Sequence, residues 1–353
     1  MQKLIVVMLC ALLAACEQAD PAAALQEDYL SRLARALEQP TAPAFDRQAL
    51  LVLRPPPKRA LVNGIPDTRI SLLELLVDSS TCPRLRVLIS ERNSILGKVM
   101  QPSHQLAYEV ALVHELEACL RESAEQNSDW HAALTSLKQQ KQQQLPLHYW
   151  NLFAASSEVR QHLRFAEHGL APENPAGAWL DEFAALVNLP SRFQQRPVLT
   201  ANEIDQHLLG LSRSTGGGQW LHSVLRLTET LTHGTQMLQQ RAARKPLCPL
   251  GRATPPARIA QNVMIKYFAG QLQPYLARVD QRGQRWHGLI QQWRAQPGAT
   301  AAFEAYLASL ERLWQRYQQA QHTHIQAWQD TLRACQLAPG QSGWVGNAAK
   351  AAQ

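Results

Sequence analysis

The chain has 353 residues, of which 46% are hydrophobic and 18% charged, and a formal net charge of +7. That composition supplies a substantial core and argues against a disordered chain, and the length fits one large domain or two modest ones. The basic excess is mild and scattered, so it gives no support to nucleic-acid binding, though it suits contact with anionic lipid, lipopolysaccharide or glycan.

The first sixteen residues speak to location. Lys3 gives a short positive start, Leu4 to Leu12 are apolar, and Leu13-Ala14-Ala15-Cys16 sets small residues before a cysteine. The apolar run is too short to span a bilayer as a mature helix, so it reads as an export signal. The pattern resembles the lipobox of bacterial lipoproteins. The resemblance implies removal of residues 1–15, diacylation of the Cys16 thiol and acylation of the new amine. In those proteins Asp after the cysteine favours inner-membrane retention. Glu17 is not that signal, which implies the periplasmic face of the outer membrane of a Gram-negative bacterium. Two or three acyl chains anchor firmly where one is marginal. No second long apolar run follows, so the expected membrane partner is reached through lipid alone.

Beyond the signal the pattern is helical. Leu25, Tyr29, Leu33 and Leu37 recur every fourth residue and predict a helix over 24–39, closed by Pro40 and Pro43. Residues 54–59 read as a polyproline-type connector. Asp67 or Thr68 is placed to cap a helix through Ile70, Leu72, Leu73, Leu75 and Leu76. Leu85 to Ile89 could be a strand, but its surroundings favour helix. Ser103 is placed to cap a helix from His104 to Ser123, with Leu106, Val110, Val113, Leu116 and Leu120 as its stripe. The next helix is expected over 129–144, its Lys138–Gln144 end solvated, and to stop at Pro146. Shorter helices follow over 156–168 and 174–187, then a connector at Pro190 and Pro197 that divides a first helical subdomain (16–190) from a second (191–338). Thr200 and Glu203 form a capping box for a helix over 201–212. Gly216-Gly217-Gly218 is expected to break the chain before a helix over 219–244. Further helices are predicted over 255–295, bent near Pro274, and over 299–337, with a loose tail over 339–353. The predicted fold class is all-α, an irregular antiparallel helical bundle stapled by two disulfides.

The staples follow from cysteine arithmetic. Cys10 leaves with the signal and Cys16 takes lipid, leaving Cys82, Cys119, Cys248 and Cys335. An even number in an oxidising compartment suggests two disulfides. Three pairings exist; Cys82–Cys119 with Cys248–Cys335 is preferred because sequence neighbours usually meet first. Four buried thiols are the alternative.

Catalytic signatures are not found. His114-Glu115 opens like a metalloprotease helix, but Ala118 stands where the second histidine is required. His322 and His324 do not share a helix face and read as surface residues. No metal or other cofactor is called for, and neither a G-x-S-x-G elbow nor an S-x-x-K occurs. Ser214-Thr215 and the three glycines could cradle an anion at a helix start, but the Walker lysine and preceding strand are missing, so a hinge is the simpler reading.

One stretch is dense in complementary polar groups. Glu91, Arg92, Asn93, Ser94, Lys98 and Glu109 lie between Cys82 and Cys119, beside apolar Ile95, Leu96, Val99 and Met100. They form the candidate polar site, with Arg92 and Asn93 expected in a buried or half-buried hydrogen-bond network. The run Glu91-Arg92-Asn93-Ser94, Leu96-Gly97-Lys98-Val99-Met100, Ser103 and Tyr108-Glu109, framed by Cys82 and Cys119, resembles a group of gammaproteobacterial lipoproteins catalogued as domain of unknown function 3080. The resemblance implies identity and compartment but no activity. The expected role is non-enzymatic binding or scaffolding of an envelope protein, glycan or anionic lipid. The alternative is an envelope hydrolase or small-ligand binder around Glu91–Lys98. A concave pocket at those polar groups would favour the alternative, and a flat apolar patch a protein partner.

Overall fold

The computed structural model describes residues 20–66, 82–122, 128–173 and 177–344, and among these there are helices and 3-10 turns but no strand. Cys16, with the rest of the signal, and the helix expected from Asp67 or Thr68 through Leu76 lie outside the described residues. Helix α1 (Pro21–Leu37) starts where the Asp20 carboxylate accepts from the amides of Ala22 and Ala23, at 2.9 and 3.1 Å. It ends at Glu38, in the left-handed region, ahead of Pro40. Two 3-10 turns, Arg47–Leu53 and Lys58–Ala60, flank the proline-rich connector. There follow α2 (Pro83–Asn93), α3 (Ile95–Lys98), α4 (Pro102–Glu122), α5 (Ser128–Ala155), α6 (Ser157–His162), α7 (Ala178–Val187), α8 (Ala201–Ser212), α9 (Gly216–Arg244), α10 (Pro255–Val263), α11 (Gln273–Arg294) and α12 (Ala301–Ala334).

Several boundaries differ from the sequence reading, each for a physical reason. Leu85 to Ile89 is helical, inside α2, with Leu85 and Ile89 buried. Helix α4 begins at Pro102, so Ser103 is a buried residue of its first turn and not a cap. Helix α5 runs through Pro146 to Ala155. The proline costs a helix hydrogen bond, but Tyr149, Trp150 and Phe153 just beyond it are fully buried, and that packing outweighs the loss. Helix α6 is capped by Ser156 and stops at His162 instead of His168, because the segment after it is tied to other helices. The bend expected near Pro274 is a π-helical stretch, Met264–Leu272, leading into α11; the wider register absorbs the missing proline N–H. The capping box is half made. The Thr200 hydroxyl accepts from the Glu203 amide, but the Glu203 carboxylate pairs with Arg192 at 3.0 Å.

The three glycines neither break a helix nor act as a hinge. They are the first turn of α9 and are buried. A side chain on Gly216 would strike Trp179, and one on Gly217 would strike His162. The missing side chains let α6 and α7 close onto the start of α9.

Helices α11 and α12 run antiparallel, as Tyr317 against Leu276 and Arg294 against Glu304 show. Helices α1, α9 and α12 run parallel. Glu27 and Leu37 meet Arg226 and Arg241, while Trp220, Thr235 and Cys248 meet Trp314, His324 and Cys335. One large apolar core lies among these helices, with α5 to α8 added, and residues from both sides of Pro190 enter it. A second, smaller core of Cys82, Leu85, Ile89, Tyr108, Leu112, Leu116, Cys119, Trp130, Leu134 and Leu137 joins α2, α4 and α5.

Both preferred disulfides are present. Cys82–Cys119 staples the small core and Cys248–Cys335 ties the ends of α9 and α12, with Cα–Cα distances of 5.5 and 5.3 Å. The expectation that His324 is a surface residue is overturned: it is fully buried in the large core. Trp328 donates its indole N–H to the Tyr29 hydroxyl (2.9 Å), which donates to His324 Nε2 (2.6 Å). On the other side Thr235 donates to the Leu231 carbonyl and takes the His324 Nδ1 proton at 3.1 Å. The chain is complete only with a neutral ring, and burial pulls the His324 pKa down to about 3. The first residues of the expected tail are also docked. The Gly343 carbonyl accepts from Arg258 and Gln261, and Trp344 packs against the large core.

Candidate functional site

The candidate polar residues are carried by the small core, on two different levels. Glu91, Arg92, Asn93 and Ser94 end α2, and Lys98 ends α3; the Lys98 side chain lies outside what is described. Gly97 brings the two helices together, since a side chain there would strike the carbonyls of Glu91 and Arg92. Arg92 is half-buried and folds back to donate to the Gly97 carbonyl. The Asn93 amide donates to the Ile89 carbonyl at 2.8 Å, and the Ser94 hydroxyl donates to the Glu91 carbonyl and accepts from the Gly97 amide. Arg92 thus meets the expectation of a half-buried network. Asn93 is exposed, though hydrogen-bonded. These groups spend themselves on their own turn.

Three of the apolar neighbours face solvent. Ile95, Leu96 and Val99 are 84, 79 and 70% exposed. Helix α3 has a single turn, and its backbone is held by Ser94 and Arg92, so its apolar side chains point outward, and no second layer receives them among the described residues.

Glu109 belongs to the deeper level, on α4 and only 3% exposed. Lys141 from α5 spans its two carboxylate oxygens at 3.2 and 3.0 Å, and His148 Nε2 stands 3.7 Å away. Lys141 was expected in solvent; its side chain is 12% exposed, and Gln144 beside it is buried. Burial pulls the His148 pKa down against the pull of Glu109, and Lys141 and Arg92 add to the fall. Burial, reinforced by Glu109, pushes the Tyr108 hydroxyl up, with Arg92 opposing. The result is a buried carboxylate–ammonium pair beside a neutral imidazole, at the seam of α4 and α5. It pins the seam, and in principle it holds an acid–base pair. Lys141 and His148 were missed by sequence reasoning because both lie far along the chain from Glu109, Lys141 in a glutamine-rich stretch that reads as polar all round and His148 beyond Pro146, where the helix was expected to have ended.

His114 is not a metal ligand in waiting: its Nε2 meets the Phe193 carbonyl at 2.8 Å. Among the described residues no group of three or more His, Cys, Asp or Glu is placed to hold a metal, and no helix is long and apolar enough to cross a membrane.

The family model described as "Protein of unknown function (DUF3080)" matches residues 26–339, nearly the whole body, so the chain belongs to that family. No curated protein and no solved structure matches it.

Proposed function

We propose that this DUF3080 protein is held by lipid on Cys16 at the periplasmic face of the outer membrane, where it serves as a binding or scaffold protein. Its docking surface for another envelope protein is the tip formed by α2 and α3. The observation that carries this reading is the exposure of Ile95, Leu96 and Val99 on a turn clamped by Cys82–Cys119. Large side chains cost free energy in water, and a contiguous group of them on a fixed turn is what a protein interface offers. The polar groups around them stiffen the turn and leave it less freedom to lose on binding. The lipobox pattern and the paired cysteines support an exported, oxidising setting.

Cross-linking in intact envelopes tests the docking reading. A photo-reactive residue at Leu96 should capture a discrete partner, and one at the exposed Arg316 should not. Lack of any adduct from Leu96 rejects the tip. The anchor is tested separately with a fatty-acid label, which Cys16→Ser should lose; equal labelling of both proteins rejects lipidation. Recovery in the inner membrane rejects only the sorting argument from Glu17.

A hydrolase or small-ligand site remains the second reading, favoured by the buried Glu109 and His148 beside the tip. It requires His148→Gln to abolish function without loss of fold. Retained function in a folded His148→Gln protein removes it.

A further inference from the structure

A second surface, far along the chain from the apolar tip, has the opposite chemistry. Between the Arg47–Leu53 turn, α6 and the start of α9 lies a cleft of about 580 Å³. Arg54, Arg160 and Arg164 line it together with Gln161, Phe165 and Thr215. It adjoins a second hollow of about 520 Å³ that shares Arg164, Phe165 and Ala166 and adds Arg47, Leu50 and Leu51.

Three features single it out. First, no carboxylate lies within ion-pairing distance of Arg54, Arg160 or Arg164 among the described residues, and the Arg160 Nε is buried without a hydrogen-bond partner there. The nearest acidic groups face other partners than these three arginines, and Glu167 lines only the adjoining hollow. Glu167 stands 3.9 Å from Arg47, and Glu158 takes the Ser157 hydroxyl at 3.0 Å. Like charges gathered in one cleft raise one another's energy, and an anion relieves it.

Second, the wall is built in advance. The segment after α6, which carries Arg164, is tied by four hydrogen bonds to three helices. Tyr306 donates to the Leu163 carbonyl, and His222 Nδ1 meets the Ala166 carbonyl. The Gly169 and Leu170 amides donate to Asp20 and Ser223. Gly218 admits this backbone, since a side chain there would strike the Arg164 carbonyl. A loop fixed this firmly holds the backbone of Arg164 without paying its ordering cost at binding.

Third, the cleft opens at Thr215, immediately before α9. The positive end of a 29-residue helix therefore adjoins the same space.

We propose that this cleft is a binding site for a phosphate-bearing ligand. Planar guanidinium groups pair with phosphate oxygens through two parallel N–H bonds each, and three of them suit a group with several charged oxygens. The volume exceeds that of a bare ion and falls in the range of small-molecule sites. Leu50, Leu51 and Phe165 in the adjoining hollow give an apolar wall for the remainder of the molecule. The ligand is a phosphorylated amphiphile, met either as a soluble compound or as the headgroup of a lipid. This site stands independently of the docking tip and of the anchor.

The test uses the full chain with Cys16→Ser, so that no acyl chain contributes. Inorganic phosphate is titrated calorimetrically, and co-sedimentation is measured with phosphatidylcholine vesicles, with and without phosphatidylglycerol. Arg160→Gln/Arg164→Gln should weaken binding by on the order of tenfold or more, while the exposed Arg316→Gln changes nothing. Saturable phosphate binding lost in the double variant supports a soluble source. Binding to the anionic vesicles alone, lost in the same variant, supports a lipid headgroup. Should the double variant fail to fold, the exposed Arg54→Gln decides on the same criteria. Failure of the protein to bind either probe, or equal binding by wild type and folded cleft variants, overturns the proposal.

Discussion

The small core of α2, α4 and α5 and the large core around α9 and α12 are stabilised by different means. The large core is dense in aromatic side chains: Trp293 lies 4.3 Å from Phe153 and 4.4 Å from Phe303 between ring centroids. A run of neutral, hydrogen-bonded polar groups crosses it, from Trp328 through Tyr29 and His324 to Thr235. The small core has Trp130 and Tyr108 at its edges, a disulfide across it and a charged pair inside it. A small cluster buries too little apolar surface to hold three helices by packing alone, so a covalent staple matters more there. The comparison also teaches where charge is tolerated: beside solvent-facing α3, and not among the packed rings.

The sharpest way to break the small core is to unpair its charge. Glu109→Ala leaves Lys141 largely buried without its carboxylate, which should cost about 3–5 kcal/mol. Hydrogen exchange resolved along the chain should show α4 and α5 losing protection while α9 and α12 keep theirs. Replacing both partners, with Glu109→Leu and Lys141→Met, should restore much of the loss, because well-packed apolar residues often equal a buried ion pair. Equal loss of protection in both cores would mean that they unfold as one unit.

Removing the staple comes next. Cys82→Ala/Cys119→Ala frees a closure of 37 residues, worth about 3–4 kcal/mol in the chain-entropy model. The loss should again fall on α2, α4 and α5. The corresponding change at Cys248 and Cys335 should be spread over the large core, because α9 and α12 are packed along their length. Non-reducing peptide mapping should recover both pairs.

Acid should act on the large core. Burial pulls both His162 and His324 down to about 3 from the usual 6.5. Between those values the unfolded chain binds protons that the folded chain does not. The contribution is therefore intact above about pH 6.5 and is lost as pH falls toward 3, by up to about 1.4 kcal/mol per unit for each histidine. His162 is the cleaner test, since neither ring nitrogen has a hydrogen-bond partner among the described residues and the ring sits against Trp179 and Phe183. His162→Leu should keep the melting temperature at pH 7 and make its fall between pH 6 and 4 shallower. An unchanged slope would move the acid response elsewhere.

Much of the helical pattern was legible, because apolar residues at three- and four-residue spacing mark a buried face. The helix predicted over 299–337 is present with its apolar face from Phe303 to Cys335 buried, and both cysteine pairings came from compartment and order. What escaped was set by tertiary partners. Pro146 looks like a helix end until Trp150 and Phe153 are seen docked in the large core. Lys141 looks solvated until Glu109, 32 residues earlier, is seen beneath it. His324 lies on the buried stripe, at four residues from Trp328, and that spacing was the signal against a surface position. The exposure of α3 was illegible for the opposite reason: Ile95, Leu96 and Val99 are apolar, and nothing in the sequence tells that a single helical turn finds no covering neighbour among the described residues.

That exposed turn yields the prediction with the smallest effect on stability. If Ile95 and Leu96 were part of the small core, polar replacement would cost several kcal/mol, as core substitutions do. At 84 and 79% exposure they give up little on unfolding. Ile95→Ser/Leu96→Ser should therefore shift the melting temperature by no more than a surface change does, within about 0.5 kcal/mol, or raise it slightly. The same variant should lose the cross-linked partner captured through a photo-reactive residue at Val99. The two readouts separate the possibilities. Retained stability with lost capture assigns the side chains to docking. Lost stability assigns them to the small core and removes the tip as a binding surface. Retained capture shows that the partner is held elsewhere on the molecule.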